Sequence, residues 1–154
     1  MDFDDDDDDF ESDEEFERKR AEERKRVANL PITKKGNEIF ETISSLVATI
    51  DSEKDKFRYQ ETLFEDIAII NAKIRGAEAG DLYTLRMENA VLIKVHARSI
   101  ITITSGLKMM NLGYEEHLNL LREEMEEFRI LFVDWVNSFD KSNDIPDDWG
   151  LFYS

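Results

Sequence analysis

Hydrophobic residues recur along most of this chain at the three- and four-residue spacing of an α-helix. The first such run extends from Ile39 to Ile50, and Thr33 is a plausible N-cap for the helix that carries it. The second run extends from residue 57 to residue 77. Ser52 followed three residues later by Asp55 resembles a capping box and predicts that a new helix starts between the two runs. No glycine or proline lies near residue 51, so one continuous helix is the alternative.

Two further helices are predicted in the second half of the chain. Gly80 marks the end of the second helix, and Asp81 is a favourable N-cap for a third helix that reaches about Met110. Because it is apolar around much of its circumference, this third helix is expected to be the most buried. Asn111 and Gly113 form the next break. The fourth helix carries a seam of alternating three- and four-residue steps, made of Leu118, Leu121, Met125, Phe128, Phe132, Trp135 and Phe139.

Short connections between amphipathic helices favour antiparallel neighbours. The pattern therefore predicts an all-α protein, in the form of an up-down-up-down antiparallel four-helix bundle. The aromatic C-terminal residues are expected to fold back onto one end of the bundle; they are Ile145, Pro146, Trp149, Leu151, Phe152 and Tyr153.

The first 30 residues differ in composition from the rest. Aspartate occupies position 2 and positions 4 to 9, a run that cannot bury enough apolar surface to order itself and predicts a disordered acidic tail. Residues 16 to 29 alternate basic and acidic side chains at helical spacing, which predicts an extra, solvent-exposed charged helix. We therefore divide the chain into residues 1–30, the tail and charged helix, and residues 31–154, the bundle with its aromatic C-terminal tail.

The net charge of the chain limits the classes of binding partner that we expect. The chain of 154 residues carries a formal net charge of −16, and residues 31–154 are acidic as well as the tail. Such a surface repels phosphate, so we expect a protein partner with a basic surface and not nucleic acid. The chain has no cysteine, and no secretory signal or uninterrupted apolar run of membrane-spanning length is recognisable. We expect a cytoplasmic protein that does not associate with membranes.

No motif indicates catalysis. The two histidines, His96 and His117, lack a glutamate three residues before them, so a di-metal site of the ferritin type is not expected. No phosphate-binding loop or dinucleotide-binding motif is present. We predict no catalytic residue, no metal site and no cofactor, and hence that the protein is not an enzyme.

One group of polar residues falls on helix faces that otherwise point to the core. Placing the second and third helices antiparallel about Gly80 brings five side chains to one end of the bundle: Glu78, Arg86, Asn71, Asn89 and Trp135. The simplest interpretation is a buried ion pair with two asparagines that fixes helix register. The alternative is a small-ligand pocket in which Arg86 binds an anion and Trp135 forms an aromatic wall.

The sequence thus favours a non-enzymatic protein-interaction module in which the acidic tail, residues Asp4, Asp5, Asp6, Asp7, Asp8 and Asp9, attracts a basic partner. A nucleic-acid-associated protein is the first alternative, acting through acidic mimicry or through the basic triplets in residues 18–26. A small-molecule binder at the Glu78, Arg86 and Trp135 end is the second. Homo-oligomerisation through the apolar third helix also remains open.

Overall fold

The computed structural model describes residues 12–151, and this part of the chain folds into helices without any strand. The helices are α1 (Asp13–Ala28), α2 (Pro31–Val47), α3 (Tyr59–Glu78), α4 (Tyr83–Met109) and α5 (Glu115–Asn137). The all-α prediction is confirmed. The described residues form five helices, of which α1 corresponds to the predicted extra charged helix. The predicted acidic tail, with Asp4 to Asp9, and residues 152–154 lie outside the described part.

α1 is a solvent-exposed helix that buries none of its residues. The hydroxyl of Ser12, its N-cap, accepts a hydrogen bond from the backbone N–H of Glu15 at 3.3 Å. Carboxylates and guanidinium groups three residues apart pair along its surface, as in Glu17 with Arg20. Such exposed pairs contribute little individually, so α1 gains its stability from many weak interactions.

α2 begins earlier than predicted. Pro31 occupies its first turn, where the missing N–H of proline costs nothing, and Leu30 is the N-cap residue. Thr33, the predicted N-cap, instead lies inside the helix, and its buried hydroxyl has no hydrogen-bond partner among the described residues.

α2 and α3 are separate helices, so the alternative of one continuous helix is wrong. The restart also lies later than the Ser52 position predicts, because α3 begins only at Tyr59. The carboxylate of Asp55 caps it by accepting the backbone N–H groups of Tyr59 and Gln60 at 2.9 and 3.0 Å. The side chain of Gln60 in turn donates to the carbonyl of Val47 at 3.1 Å, so the same connection closes the end of α2.

α4 is not capped by Asp81 as predicted. Its N-cap is Leu82, which has no side chain able to bond the helix, and the cap comes from the C-terminal segment instead. The two carboxylate oxygens of Asp144 accept the backbone N–H of Thr84 at 3.2 Å and its hydroxyl at 2.8 Å. The C-terminal segment thus folds back through polar contacts, whereas Trp149 and Leu151 remain largely exposed.

The core lies between α2, α3, α4 and α5. α2 packs against α3 and α5, and α4 packs against the same two helices. Five positions of the predicted seam are buried within α5, and Phe139 just after it is buried too; the five are Leu118, Leu121, Met125, Phe128 and Trp135. α4 is not the most buried helix, because several of its large apolar side chains are exposed: Leu85, Val91, Leu92, Val95 and Ile101.

Candidate functional site

Glu78, the last residue of α3, is the centre of a hydrogen-bond cluster where three helices meet. Its side chain is only 7% exposed. Oε1 of this carboxylate accepts the Nη2–H of Arg86 from the first turns of α4 and the indole N–H of Trp135 from the end of α5, both at 2.7 Å. Buried charges persist when they are paired and hydrogen-bonded in this way.

Arg86 is held by an aromatic ring as well as by the carboxylate. Its guanidinium carbon lies 3.9 Å from the centroid of the Phe139 ring, within the range of a cation–π interaction. The ring of Trp135 packs edge-on against Phe139 with their centroids 4.8 Å apart. The Nε of Arg86 is buried without a hydrogen-bond partner in the described part of the chain.

The other oxygen of Glu78 connects the cluster to α1. Oε2 accepts a hydrogen bond from Nη2 of Arg26 at 3.0 Å, and Arg26 also pairs with Glu23 on its own helix. The hydrogen bonds that Arg26 donates to Glu23 and to Glu78 raise the pKa of Arg26 above its ordinary value. No sequence pattern placed Arg26 in this cluster, because Glu78 lies 52 residues away in the chain.

The two predicted asparagines lie apart from this cluster. The Nδ2 of Asn71 donates to the carbonyl of Gly36 on α2 at 3.4 Å, across a different helix pair. Asn89 donates to the carbonyl of Leu85 on its own helix and lies against Gly76 of α3. The structure therefore brings together Glu78, Arg86 and Trp135 of the predicted group and adds Arg26 and Phe139.

The cluster has little capacity left for a ligand. A cavity of about 480 Å³ borders it, and its ionisable lining consists of Glu23, Arg26, Glu78, Asp81 and Arg86. Carboxylates outnumber guanidinium groups there, which gives no net attraction for an anion. Both oxygens of Glu78 are already bonded by protein donors. This arrangement supports the structural interpretation, in which the ion pair fixes the position of three helix ends.

Two other polar pairs lie between helices away from this end. Nδ1 of His96 on α4 lies 2.8 Å from Oδ1 of Asp66, a buried residue of α3. Glu124 on α5 is buried, and its Oε1 accepts the hydroxyl of Thr42 at 2.6 Å. Burial raises the pKa of Glu124. Each pair joins two neighbouring helices, and neither opens onto a cavity lined by further reactive groups among the described residues.

A second candidate site is an apolar groove between α4 and α5. It encloses about 410 Å³. Its apolar lining consists of Ile93, Ala97 and Ile101 from α4 and Met125, Phe128, Phe132 and Val133 from α5. α4 and α5 contact each other less extensively than α3 and α4 do, which leaves this space between their outer surfaces. Hereafter it is called the α4–α5 groove.

All ionisable groups that line the α4–α5 groove are cationic. They are Lys94, Arg98 and Arg129. Arg129 is bonded to Glu126 one turn earlier on α5. Lys94 and Arg98 make no ion pair with any residue in the range 12–151. Two cations without an ion-pair partner in the described part of the chain stand out beside an apolar groove, because the net charge of the protein is −16.

Other apolar side chains of α4 are exposed as well. Val91 and Val95 are 45% and 54% exposed, and both lie within one turn of Lys94. By length and composition alone α4 also meets the requirement for a membrane span, as core helices of water-soluble proteins do, and 33% of its most apolar window is buried. An exposed apolar surface of this kind is typical of a contact site.

Comparison with protein families, with curated proteins and with solved structures found no match to this chain.

Proposed function

We propose that this protein is a non-enzymatic interaction module that binds an apolar segment of a protein partner in the α4–α5 groove. The observation that carries this proposal is the groove itself, which combines an apolar lining with cationic rims at Lys94 and Arg98. Apolar grooves between helices commonly receive one face of an amphipathic helix. The cationic rim favours a segment that has acidic residues beside its apolar anchors.

The proposed scaffold is an up-down-up-down antiparallel four-helix bundle formed by α2 to α5. Residues 31–154 form one unit in this proposal. Contacts between distant helix ends support this arrangement. Trp135 near the end of α5 bonds Glu78 at the end of α3, and Thr49 after α2 accepts the N–H of Tyr114, the N-cap residue of α5. Helix ends meet in this way when neighbouring helices alternate in direction.

The acidic tail, residues Asp4 to Asp9, gives the module a second electrostatic feature and favours partners with a basic surface. Exposed charges mainly accelerate association and make it sensitive to salt. Nucleic acid is a weaker candidate partner, because Arg18, Arg20 and Arg26 of α1 all pair with glutamates of the same helix. We propose that the protein acts in the cytoplasm. We also propose that it uses no cofactor.

Selection of binding peptides from a random display library tests the groove directly, because such a library presents many combinations of apolar and acidic residues at once. We expect selected peptides to share apolar anchors at helical spacing with flanking acidic residues. Their binding should be lost in Val133→Glu, which places a charge in the lining at a position that is 44% exposed. Ile130→Glu is the matched control, since Ile130 is 52% exposed on the same helix but does not line the groove.

The proposal would be wrong if the selected peptides bound wild type and Val133→Glu equally well, or if Ile130→Glu weakened them to the same extent. Either result would place the binding surface elsewhere.

A second candidate function is self-association through the outer face of α4. It is favoured by the exposure of Leu85, Leu92 and Val95, which are 52%, 40% and 54% exposed. Light scattering of wild type beside Leu92→Glu measures it. A concentration-dependent dimer that disappears in Leu92→Glu supports self-association, and a monomer at all concentrations excludes it.

A further inference from the structure

A cavity of about 420 Å³ lies between α1, α2 and α3 and shares no lining residue with the α4–α5 groove. Part of its lining is apolar and comes from Val27 and Ala28 at the end of α1 and from Ala79 just after α3. α1 buries none of its own residues, so the space lies beneath a loosely packed helix. A volume of this size falls within the range of small-molecule sites. Hereafter it is called the α1–α3 cavity.

The cations that line the α1–α3 cavity are Arg24 and Arg75, and neither makes an ion pair with another residue in the range 12–151. The two carboxylates of the lining, in contrast, are already bonded. Both oxygens of Glu23 accept the Nε–H of Arg26, and both oxygens of Glu78 accept protein donors as described above. The charges left without a partner among the described residues are therefore positive. Two guanidinium groups at one cavity favour an oxyanion.

Thr33 lines the same cavity, and its hydroxyl is shielded from solvent without a hydrogen-bond partner in the described part of the chain. Other helical threonines, such as Thr62 and Thr102, donate to the backbone carbonyl four residues earlier. Thr33 lies in the first turn of α2, so the residue four positions earlier, Asn29, is outside the helix. Buried hydroxyl groups are nearly always hydrogen-bonded. A ligand oxygen in the cavity supplies the acceptor that the chain itself does not.

We propose that the α1–α3 cavity binds a small organic anion that carries one carboxylate or phosphate group on an apolar body. The guanidinium groups of Arg24 and Arg75 bind the anionic group, and the hydroxyl of Thr33 donates to one of its oxygens. The apolar body covers Val27 and Ala79. This site is independent of the proposed function, which concerns the α4–α5 groove. A ligand bonded to both arginines joins α1 to α3 and so holds α1 against the bundle.

Titration of the ¹⁵N-labelled full chain with phenyl phosphate and with benzoate tests this proposal. We expect saturable shifts of the amide signals of Thr33, Asn37 and Ala79, together with slower hydrogen exchange in the last turns of α1. Binding of only one of these two probes would identify the anionic group that the site prefers. Inorganic phosphate should bind about fivefold more weakly than phenyl phosphate, since it lacks the apolar body. The proposal is overturned if neither aromatic probe shifts these signals, or if inorganic phosphate binds as tightly as phenyl phosphate.

Substitution of the two arginines separates a specific site from general attraction. Arg24→Gln combined with Arg75→Gln should abolish the binding of phenyl phosphate by removing both guanidinium groups. Lys25→Gln combined with Lys73→Gln is the matched control, because it changes the net charge equally on the same two helices and neither lysine lines the cavity. This control should bind phenyl phosphate within about twofold of wild type, since exposed charges at a distance are screened. Equal losses in the two double variants would show general attraction only and would overturn the site.

Thr33→Val separates a hydroxyl that binds the ligand from one that contacts only water. Valine has nearly the shape of threonine and lacks only the hydroxyl group. We expect the binding of phenyl phosphate to weaken about tenfold, the effect of one hydrogen bond to a charged group. The Tm of the protein without ligand should rise, because a buried hydroxyl without a partner is removed. Unchanged binding together with a lower Tm would show that water satisfies this hydroxyl, and would overturn its assigned role.

Discussion

The indole N–H of Trp135 donates to Oε1 of Glu78 at 2.7 Å and so joins the end of α5 to the end of α3. The same oxygen accepts Arg86 from the start of α4. One carboxylate oxygen thus holds three helix ends together in a largely buried site. Removing the carboxylate would leave two buried donors without a partner, which is far more costly than losing an exposed ion pair.

Glu78→Ala should therefore lower the free energy of unfolding by about 3 kcal/mol, the cost typical of leaving one partner of a buried ion pair uncompensated. Urea denaturation followed by circular dichroism measures this. Glu61→Ala is the matched control, because Glu61 lies on the same helix and pairs with Arg58, where both side chains are more than half exposed. That control should change stability by less than about 0.5 kcal/mol. Equal losses in both variants would show that Glu78 has no special structural role.

The position of Glu78 beside Arg86 could be predicted because both residues lie close to the turn at Gly80, where the antiparallel pairing leaves little freedom of register. Asn71 lies two turns from that pivot, and helical periodicity does not specify which of two neighbouring helices such a residue faces. It contacts α2 at Gly36 instead of joining the cluster. Within α3 and α4, prediction was therefore accurate near the connection and failed two turns away from it.

The contact of the C-terminal segment with α4 was not predictable from local patterns. Asp144 caps α4 although it lies 60 residues from Thr84 in the chain. The residues around Asp81 do not indicate that Asp144 caps the helix in place of Asp81. The α4–α5 groove was missed for another reason. The excess of apolar residues in the third predicted helix was recognised, but periodicity alone did not show that part of this surface would remain uncovered.

Gly106 of α4 lies against the phenol ring of Tyr59, the first residue of α3. A Cβ atom at this position would lie 2.6 Å from the hydroxyl oxygen of Tyr59 and 2.9 Å from its ring. Gly106→Ala should thus lower the free energy of unfolding by about 1–3 kcal/mol, the cost of overpacking a close contact. Thermal and urea denaturation measure the effect.

Gly80→Ala is the control for Gly106→Ala, because a Cβ atom on Gly80 would meet nothing within 4 Å. It should be neutral or stabilise the protein by up to about 1 kcal/mol, since alanine restricts the unfolded chain. Tyr59→Phe combined with Gly106→Ala should recover part of the loss by removing the closest oxygen. If the double variant did not recover stability, the strain would lie elsewhere on the ring or in the backbone.

Asp144 should contribute as a helix cap although it lies far from α4 in sequence. Asp144→Ala removes the acceptor of the Thr84 N–H and hydroxyl, and we expect a loss of about 1 kcal/mol together with faster hydrogen exchange at the first turn of α4. Asp144→Asn keeps one carbonyl oxygen and should lose less. The control is Asp148→Ala, a change in the same segment away from α4, and it should leave hydrogen exchange at Thr84 unaltered. If Asp148→Ala accelerated exchange at Thr84 as much as Asp144→Ala does, the cause would be loosening of the whole segment and not a lost cap.

The contribution of Glu124 to stability should fall as pH rises. A paired surface carboxylate shows the opposite dependence, because its contribution is lost as pH falls. Burial raises the pKa of Glu124 in the folded state above the ordinary value of 4.5. Between these two pKa values the folded chain binds more protons than the unfolded chain, so stability falls as pH rises through that window. Glu124→Gln remains neutral and can still accept from Thr42. It should therefore be more stable than wild type at pH 7, and the difference should shrink towards pH 4.

Glu126→Gln provides a control of opposite sign. The hydrogen bond from Arg129 lowers the pKa of Glu126, so its contribution is present at neutral pH and is lost as pH falls through the folded-state pKa. Because Glu126 is fully exposed, we expect at most a slight loss at pH 7 and none at low pH. Urea denaturation of both variants and wild type at pH 4 and pH 7 compares the two carboxylates under identical conditions. A stability difference for Glu124→Gln that did not change with pH would mean that the carboxyl has the same pKa in the folded and unfolded states. Its burial between α2 and α5 would then carry no electrostatic cost.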